Sequence, residues 1–207
     1  TVQFLGNRGL TAVPVDLLPN LNWVALDNNE ITVIRKLDFN NKYPNLDSLF
    51  IRNNKISSVE RGCFKGTLLK QIILTGNLLD YFPDFHEVKE TLERIEIQSN
   101  RISSIKPEDI DFLASLDNLD LAANPLACLP DLNQLLSSLI RLDLRSISFE
   151  CCHKIAWMMD IDTLLIDDTP CHSPPPWKQI SFSNINMTQL VETKCSAGEL
   201  FVFIIHC

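Results

Sequence analysis

An α/β solenoid is the fold class this sequence predicts, and three observations predict it. The first is self-similarity: LNWVALDNNEI at Leu21, LDSLFIRNNKI at Leu46, LKQIILTGNLL at Leu69, LERIEIQSNRI at Leu92, LDNLDLAANPL at Leu116 and a degenerate LIRLDLRSISF at Leu139 begin 23 to 25 residues apart. That is the period of stacked supersecondary units, and 207 residues accommodate about nine units of roughly 23 residues as one elongated domain. The second is the alternation inside each copy, where two apolar residues stand two apart. The third is an asparagine column, Asn29, Asn54, Asn77, Asn100 and Asn124, at a constant place after that apolar pair.

Residues 1–20 form an irregular first unit. Val2 and Phe4 take the strand apolar places, Asn7 the ladder place, and Leu10, Val13 and Pro14 close the unit, although the spacing from Asn7 to Leu10 is one residue too long. With no cysteine before Cys63, the first strand is expected to lack a disulfide cap and to present an open edge. From Leu21 onward alternate strand residues point to opposite faces. Val24 and Leu26, Leu49 and Ile51, Ile72 and Leu74, Ile95 and Ile97, Leu119 and Leu121, Leu142 and Leu144 are therefore expected inside. Where the chain turns inward its peptide groups leave water, and a stacked column of asparagines has the donors and acceptors to satisfy them. Each return arm carries a second apolar pair, Ile31/Ile34, Ile56/Val59, Leu79/Phe82, Ile102/Ile105 and Leu126/Leu129. Phe39, Phe64 and Phe112 follow, on a side where short helices or 3₁₀ turns are expected rather than strands.

These motifs resemble those of extracellular-type leucine-rich-repeat proteins, over residues 21–144. The resemblance implies a curved, right-handed superhelix with a parallel sheet on the concave face and short helices, 3₁₀ turns and loops on the convex one. In the degenerate copy Ile147 stands in the asparagine place, as in an atypical terminal unit. Phe149, the adjacent Cys151 and Cys152, Trp157, Pro170, Cys171, Pro174, Ile180, Leu190 and Cys195 then resemble the family's C-terminal flanking module, whose usual C-x-C is here a CC pair. By that resemblance Cys151 pairs with Cys171 and Cys152 with Cys195, among three connectivities open to four cysteines. The expected organisation is repeats over 1–146, a disulfide cap over 147–195 and an apolar tail over 196–207. Segments at Leu164–Ile166 and Ile180–Phe182 also fit the repeat spacing and would prolong the sheet into the cap.

Cysteines clustered after the repeats point to an oxidising compartment. A metal site at Cys151, Cys152, His153, Cys171 and His172 lacks the ligand spacing of common zinc sites, so no metal or cofactor is expected. Cys63 and Cys128 are expected as buried small hydrophobes. The formal charge of −8 offers no basic footprint for nucleic acid. No run of about 18 apolar residues and no leader precede the repeats, so membrane contact is not expected of this stretch and the chain reads as a processed or truncated piece. The run Leu200–Ile205 leaves open a membrane anchor beyond it, a last strand or a truncation. Asn186-Met187-Thr188 is the one N-x-[ST] sequon.

None of His86, His153, His172 and His206 falls in a nucleophile–base motif and no phosphate loop occurs, so catalysis is not expected. Outward strand residues form three columns about 4.8 Å apart per step. They read Trp23, Ser48, Gln71, Arg94, Asn118, Arg141; then Ala25, Phe50, Ile73, Glu96, Asp120, Asp143; then Asp27, Arg52, Thr75, Gln98, Ala122, Arg145. Trp23, Phe50 and Ile73 are apolar where a solvated face needs only polar residues, and grouped exposed apolar residues mark interaction surfaces. Glu96, Asp120 and Asp143 stack as like charges that Arg94, Arg141 and Arg145 offset or a cationic partner relieves. The expected function is non-catalytic recognition of a protein on the concave face, secreted or at the cell surface, of adhesion, matrix or innate-immune type. The alternative is an intracellular repeat adaptor or an accessory subunit of an enzyme.

Overall fold

A computed structural model of the chain describes residues 1–127, 129–132, 135, 138–160 and 164–195. One strand per coil builds an eight-stranded parallel sheet in sequence order: Val2–Phe4, Trp23–Ala25, Ser48–Phe50, Gln71–Ile73, Arg94–Glu96, Asn118–Asp120, Arg141–Asp143 and Leu164–Leu165. We number these coils 1 to 8. The register aligns Val24, Leu49, Ile72, Ile95, Leu119 and Leu142 as one interior file. That file and its neighbour, Leu26, Ile51, Leu74, Ile97, Leu121 and Leu144, are entirely shielded from solvent. All five apolar pairs of the return arms are buried as well.

Between the files and the convex side runs the asparagine ladder. The Asn77 amide donates to the carbonyls of Ile51 (3.0 Å) and Leu74 (2.9 Å), while its Oδ1 accepts the Ile56 N–H at 3.0 Å. Asn29, Asn54, Asn100 and Asn124 repeat the pattern, so that the carbonyls of Leu26, Ile51, Leu74 and Ile97 are each shared by two asparagines of successive coils. The residue before each ladder position is left-handed, from Asn28 (φ 56°) and Asn53 (51°) to Ser99 (55°) and Ala123 (54°). At coil 4 the place is filled by Gly76 (φ 69°), where a β-carbon would strike Asn53 Oδ1.

Coil 1 departs from the expected register. Val2 pairs with Trp23 and Phe4 with Ala25, which puts Gln3 inward and sends Val2 and Phe4 to the outer face. Asn7 (φ 59°) holds the left-handed place and Arg8 the ladder place, its N–H donating to Asn29 Oδ1 at 2.9 Å. Leu5, Val13 and Leu17, with Leu10 partly buried against them, are the apolar residues of coil 1 that meet the core; Phe4 is not among them.

On the convex side short helices at Lys36–Phe39 and Pro107–Ile110 and a 3₁₀ turn at His86–Val88 appear as expected, but Val33–Ile34 and Ser58–Val59 form a two-stranded parallel ladder where no strands were expected. Phe39, Phe64 and Phe85 stack as an interior spine with centroids 6.3 and 6.0 Å apart. Phe112 is not in it: it lies partly exposed against the His86 ring at 3.6 Å. Cys63 is buried and unpaired among the described residues, and burial pushes its thiol far up. Cys128 and the Leu200–Ile205 run, with His206 and Cys207, lie outside the described residues.

The C-terminal region is held by Cys151–Cys171 and Cys152–Cys195, the pairing implied by the resemblance. Only the first of the two proposed sheet extensions forms: Leu164–Leu165 pairs with coil 7. Ser181 instead makes an antiparallel bridge to Pro170, and Phe182–Asn184 is a 3₁₀ turn. No helix of the described residues is long and apolar enough to cross a membrane.

Candidate recognition surface on the concave face

The outer side of the sheet divides into an apolar end and an ionic end. At coils 1 to 3, Phe4 meets Trp23 edge-on at 5.7 Å and Trp23 meets Phe50 at 4.9 Å. The Arg52 guanidinium lies 5.0 Å from the Phe50 centroid, within cation–π range. Phe4 is 64% exposed and Trp23 and Phe50 are partly exposed. The sequence placed Phe4 inside; counting back from Leu5, the partner of the Leu26 file, would have put it here.

Ile73 is a correction. It is only 1% exposed, so it floors the face rather than presenting an apolar anchor. Its cover follows from the register. Phe50, Ile73 and Glu96 are successive partners, and Arg52 reaches past coil 4 to Glu96 Oε2 at 3.6 Å, lying across the strand between.

Coils 5 to 7 carry the charges. Arg94 and Glu96, two apart on one strand, share a face, and the Arg94 guanidinium grips Glu96 directly. On coil 7, Asp143 is fully buried between Arg141 (2.9 Å) and Arg145 (2.6 Å). Burial pushes the Asp143 carboxyl up, but the bonds from Arg145 and Arg141 outweigh it and hold it below the usual range. Asp120 lies between these pairs and, among the described residues, its carboxylate has no ion-pair partner and accepts one hydrogen bond, from the Ala122 N–H at 3.1 Å. Burial pushes its carboxyl up, and Asp143 and Glu96 add to the rise against the pull of that N–H and of Arg141. With Glu96 and Asp143 satisfied by arginines, the row offers one open carboxylate, far from the six to eight oxygens a calcium ion takes.

The candidate metal cluster of the sequence loses its thiolates to the two disulfides, leaving His153 Nδ1 3.9 Å from Cys195 Sγ. On the convex side a cleft of about 420 Å³ lined by Val59, Arg61, Tyr81, Phe82, Asp84, His86, Glu108, Asp109 and Phe112 has Asp84 bound by Arg61 (2.9 Å) and His86 Nδ1 (2.7 Å).

A family model described as leucine rich repeat matches residues 19–79. That match covers coils 2 to 4, with the ladder residues Asn29, Asn54 and Asn77. The matched residues are leucine-rich repeats, and the chain resembles leucine-rich-repeat proteins of the extracellular type. Among relatives it is similar to leucine-rich repeat-containing protein 66 of Homo sapiens (30% identical, over 59% of this chain and 13% of that protein). Biglycan of Sus scrofa is 32% identical over 56% of this chain and 42% of its own length, and vasorin of Mus musculus 28% over 76% and 24%. The chain thus spans less than half the length of each of these relatives. Biglycan and vasorin are extracellular or cell-surface proteins without enzymatic activity.

In this leucine-rich-repeat sheet Asp120 and Asp143 have opposite effects on stability. An aspartate whose folded pKa is raised costs stability at neutral pH, and the cost fades as pH falls through its folded pKa toward the unfolded value of about 3.9. Asp143, held low, stabilises above that value, and the contribution is lost as pH falls below it. Asp120→Asn is therefore expected to raise Tm at pH 7, by about 2–4 °C per kcal/mol for a chain of this size. The gain should shrink as the melts are repeated toward pH 4. A Tm at pH 7 equal to or below that of the parent contradicts this electrostatic account.

Proposed function

We propose that this chain is a non-catalytic protein-recognition module, acting outside the cell or at its surface, that binds a protein partner on the concave face. The observation that carries it is the unbroken run of ring contacts Phe4–Trp23–Phe50 on the outer side of a parallel sheet, with Phe4 and Phe50 in the register of Ala25, Trp23 two residues before it, and Arg52 alongside. Large aromatic side chains beside arginine are the composition of interface hot spots. The Trp23 Nε1, like that of Trp157 in the C-terminal region, has no protein hydrogen-bond partner among the described residues. Arg94, Glu96, Asp120, Arg141, Asp143 and Arg145 form the polar remainder of the surface; Ile73 supports it from below. Adhesion, matrix or innate-immune recognition fits such a face, and the class of relatives supports it.

The test is a screen of the chain against an array of extracellular protein domains. Trp23→Ala and Phe50→Ala are each expected to weaken a hit by about thirtyfold, the size of a hot-spot loss, while Lys42→Ala on the exposed convex side leaves it unchanged. A hit indifferent to both aromatics but lost on convex substitution moves the site to the other face.

The sequon at Asn186 fits the same compartment. Asn186 is exposed and caps the helix Met187–Glu192 through Oδ1, which accepts from Thr188 N–H (2.9 Å) and Gln189 N–H (3.4 Å), so the amide nitrogen is not used by the cap. Secreted from animal cells, the chain is expected to carry an N-glycan there. A mass increment removed by an amidase that cleaves N-glycans, and absent from Asn186→Gln, checks it.

A further inference from the structure

Resting on the concave-face reading above, we infer that the partner is a basic segment: it places one lysine or arginine side chain on Asp120 and an apolar side chain on the Trp23–Phe50 patch. The argument is one of complementarity along the sheet. Coils 5 and 7 each carry an arginine two residues before their carboxylate, Arg94 before Glu96 and Arg141 before Asp143, and each pair is closed. Coil 6 repeats the carboxylate but not the cation: Asn118 stands in the arginine's place, and Ala122 stands where coil 7 has Arg145. Both are shorter than their neighbours, so the strand of coil 6 runs along the floor of a notch between two arginine-lined ridges. Asp120 is 9% exposed at the bottom of it.

The three arginines of the ridges balance the three acids in charge, but they bind Glu96 and Asp143 directly, so among the described residues Asp120 is the one carboxylate of the row without a direct cationic partner, and the side chain that completes its pairing is a cation. A long, thin one with its charge at the tip fits the notch; a partner carboxylate there would meet a carboxylate that no arginine binds directly. Phe50 and Asp120 are three strands apart, about 14 Å at the spacing of a sheet. In an extended segment crossing the strands that separates the apolar from the basic side chain by about four residues.

The probe is a displayed library of random 12-residue peptides, selected on the immobilised chain. Enriched peptides are expected to contain Lys or Arg. Replacing that residue by norleucine should cost at least about tenfold in Kd against the parent chain, as expected for a charge-assisted hydrogen bond. Against Asp120→Asn it should cost little, the two changes forming a coupled cycle. Asn118→Arg supplies the missing cation in cis and is expected to weaken the same peptides while keeping the parent's cooperative melt. Peptides lost on Phe50→Ala yet indifferent to Asp120→Asn overturn the basic-segment inference and leave the concave-face reading standing. No enrichment, or binding indifferent to Phe50→Ala and Asp120→Asn alike, overturns both.

Discussion

Asn77→Ala is expected to lower the unfolding free energy by about 3 kcal/mol, although it removes one short side chain and touches no exposed surface. The ladder geometry sets the size. The carbonyls of Ile51 and Leu74 lose one donor each but keep another, from Asn54 (3.3 Å) and Asn100 (3.0 Å). The Ile56 N–H has no such reserve: Asn77 Oδ1 is its acceptor, and a buried donor left unpaired costs about 1–3 kcal/mol. The vacated amide adds a small cavity cost. Asn77→Asp sharpens the test because it keeps the acceptor and the shape but removes the donors. At pH 7 its carboxylate would face the same two carbonyls, so it should be worse than alanine; on acidification the protonated acid regains one donor and should recover part of the loss. Urea unfolding at pH 7 and pH 4.5, with exposed Asn45→Ala as control, measures all three. A loss under about 1 kcal/mol for Asn77→Ala means that the ladder is ornamental to stability.

The repeats were legible because two periodicities coincide: alternation within a strand and the return of an asparagine once per coil. Both follow from burial, and the interior files and the ladder from Asn29 to Asn124 lie where those periods put them. Coil 1 was misjudged because apolar identity was weighed above position. Phe4 is large and apolar, yet the left-handed place needs Asn7, which moves the strand by one residue, and a one-residue shift turns every side chain to the other face. Ile73 erred in the opposite sense. Facing outward is a property of the strand, whereas exposure depends on what crosses above, and the reach of Arg52 to Glu96 is a contact between coils 3 and 5 that no local pattern encodes. The open carboxylate of Asp120 was half visible: the row of three acids is plain in sequence, but which member lacks an arginine needed the pairing distances.

Cutting Cys152–Cys195 is expected to separate the C-terminal end from the repeats in stability. Its position suggests how. Cys151 and Cys171 are both buried, and the backbone on either side is tied by Cys151 N–H to Ser173 O (2.7 Å) and His172 N–H to Phe149 O (3.0 Å). Cys195 is partly exposed, and its bridge is the covalent link from the helix Met187–Glu192 to the 3₁₀ segment His153–Asp160, supported by His153 N–H to Thr193 O (3.0 Å) and Trp177 Nε1 to Thr193 Oγ1 (3.0 Å). Dithiothreitol at low concentration should therefore open Cys152–Cys195 first, and alkylation followed by peptide mass mapping should label Cys152 and Cys195 while Cys151 and Cys171 stay linked. The bridge spans 43 residues, and releasing a loop of that size costs about 4 kcal/mol by chain entropy alone. In a solenoid each unit leans only on its neighbours, so the loss falls on the end that carries it. The double variant Cys152→Ser with Cys195→Ser should show an early urea transition in which Leu190 and Phe182 lose their cover, followed by a main transition near the parent's. One cooperative transition at the parent's midpoint would mean that the non-covalent contacts of this region suffice without the bridge.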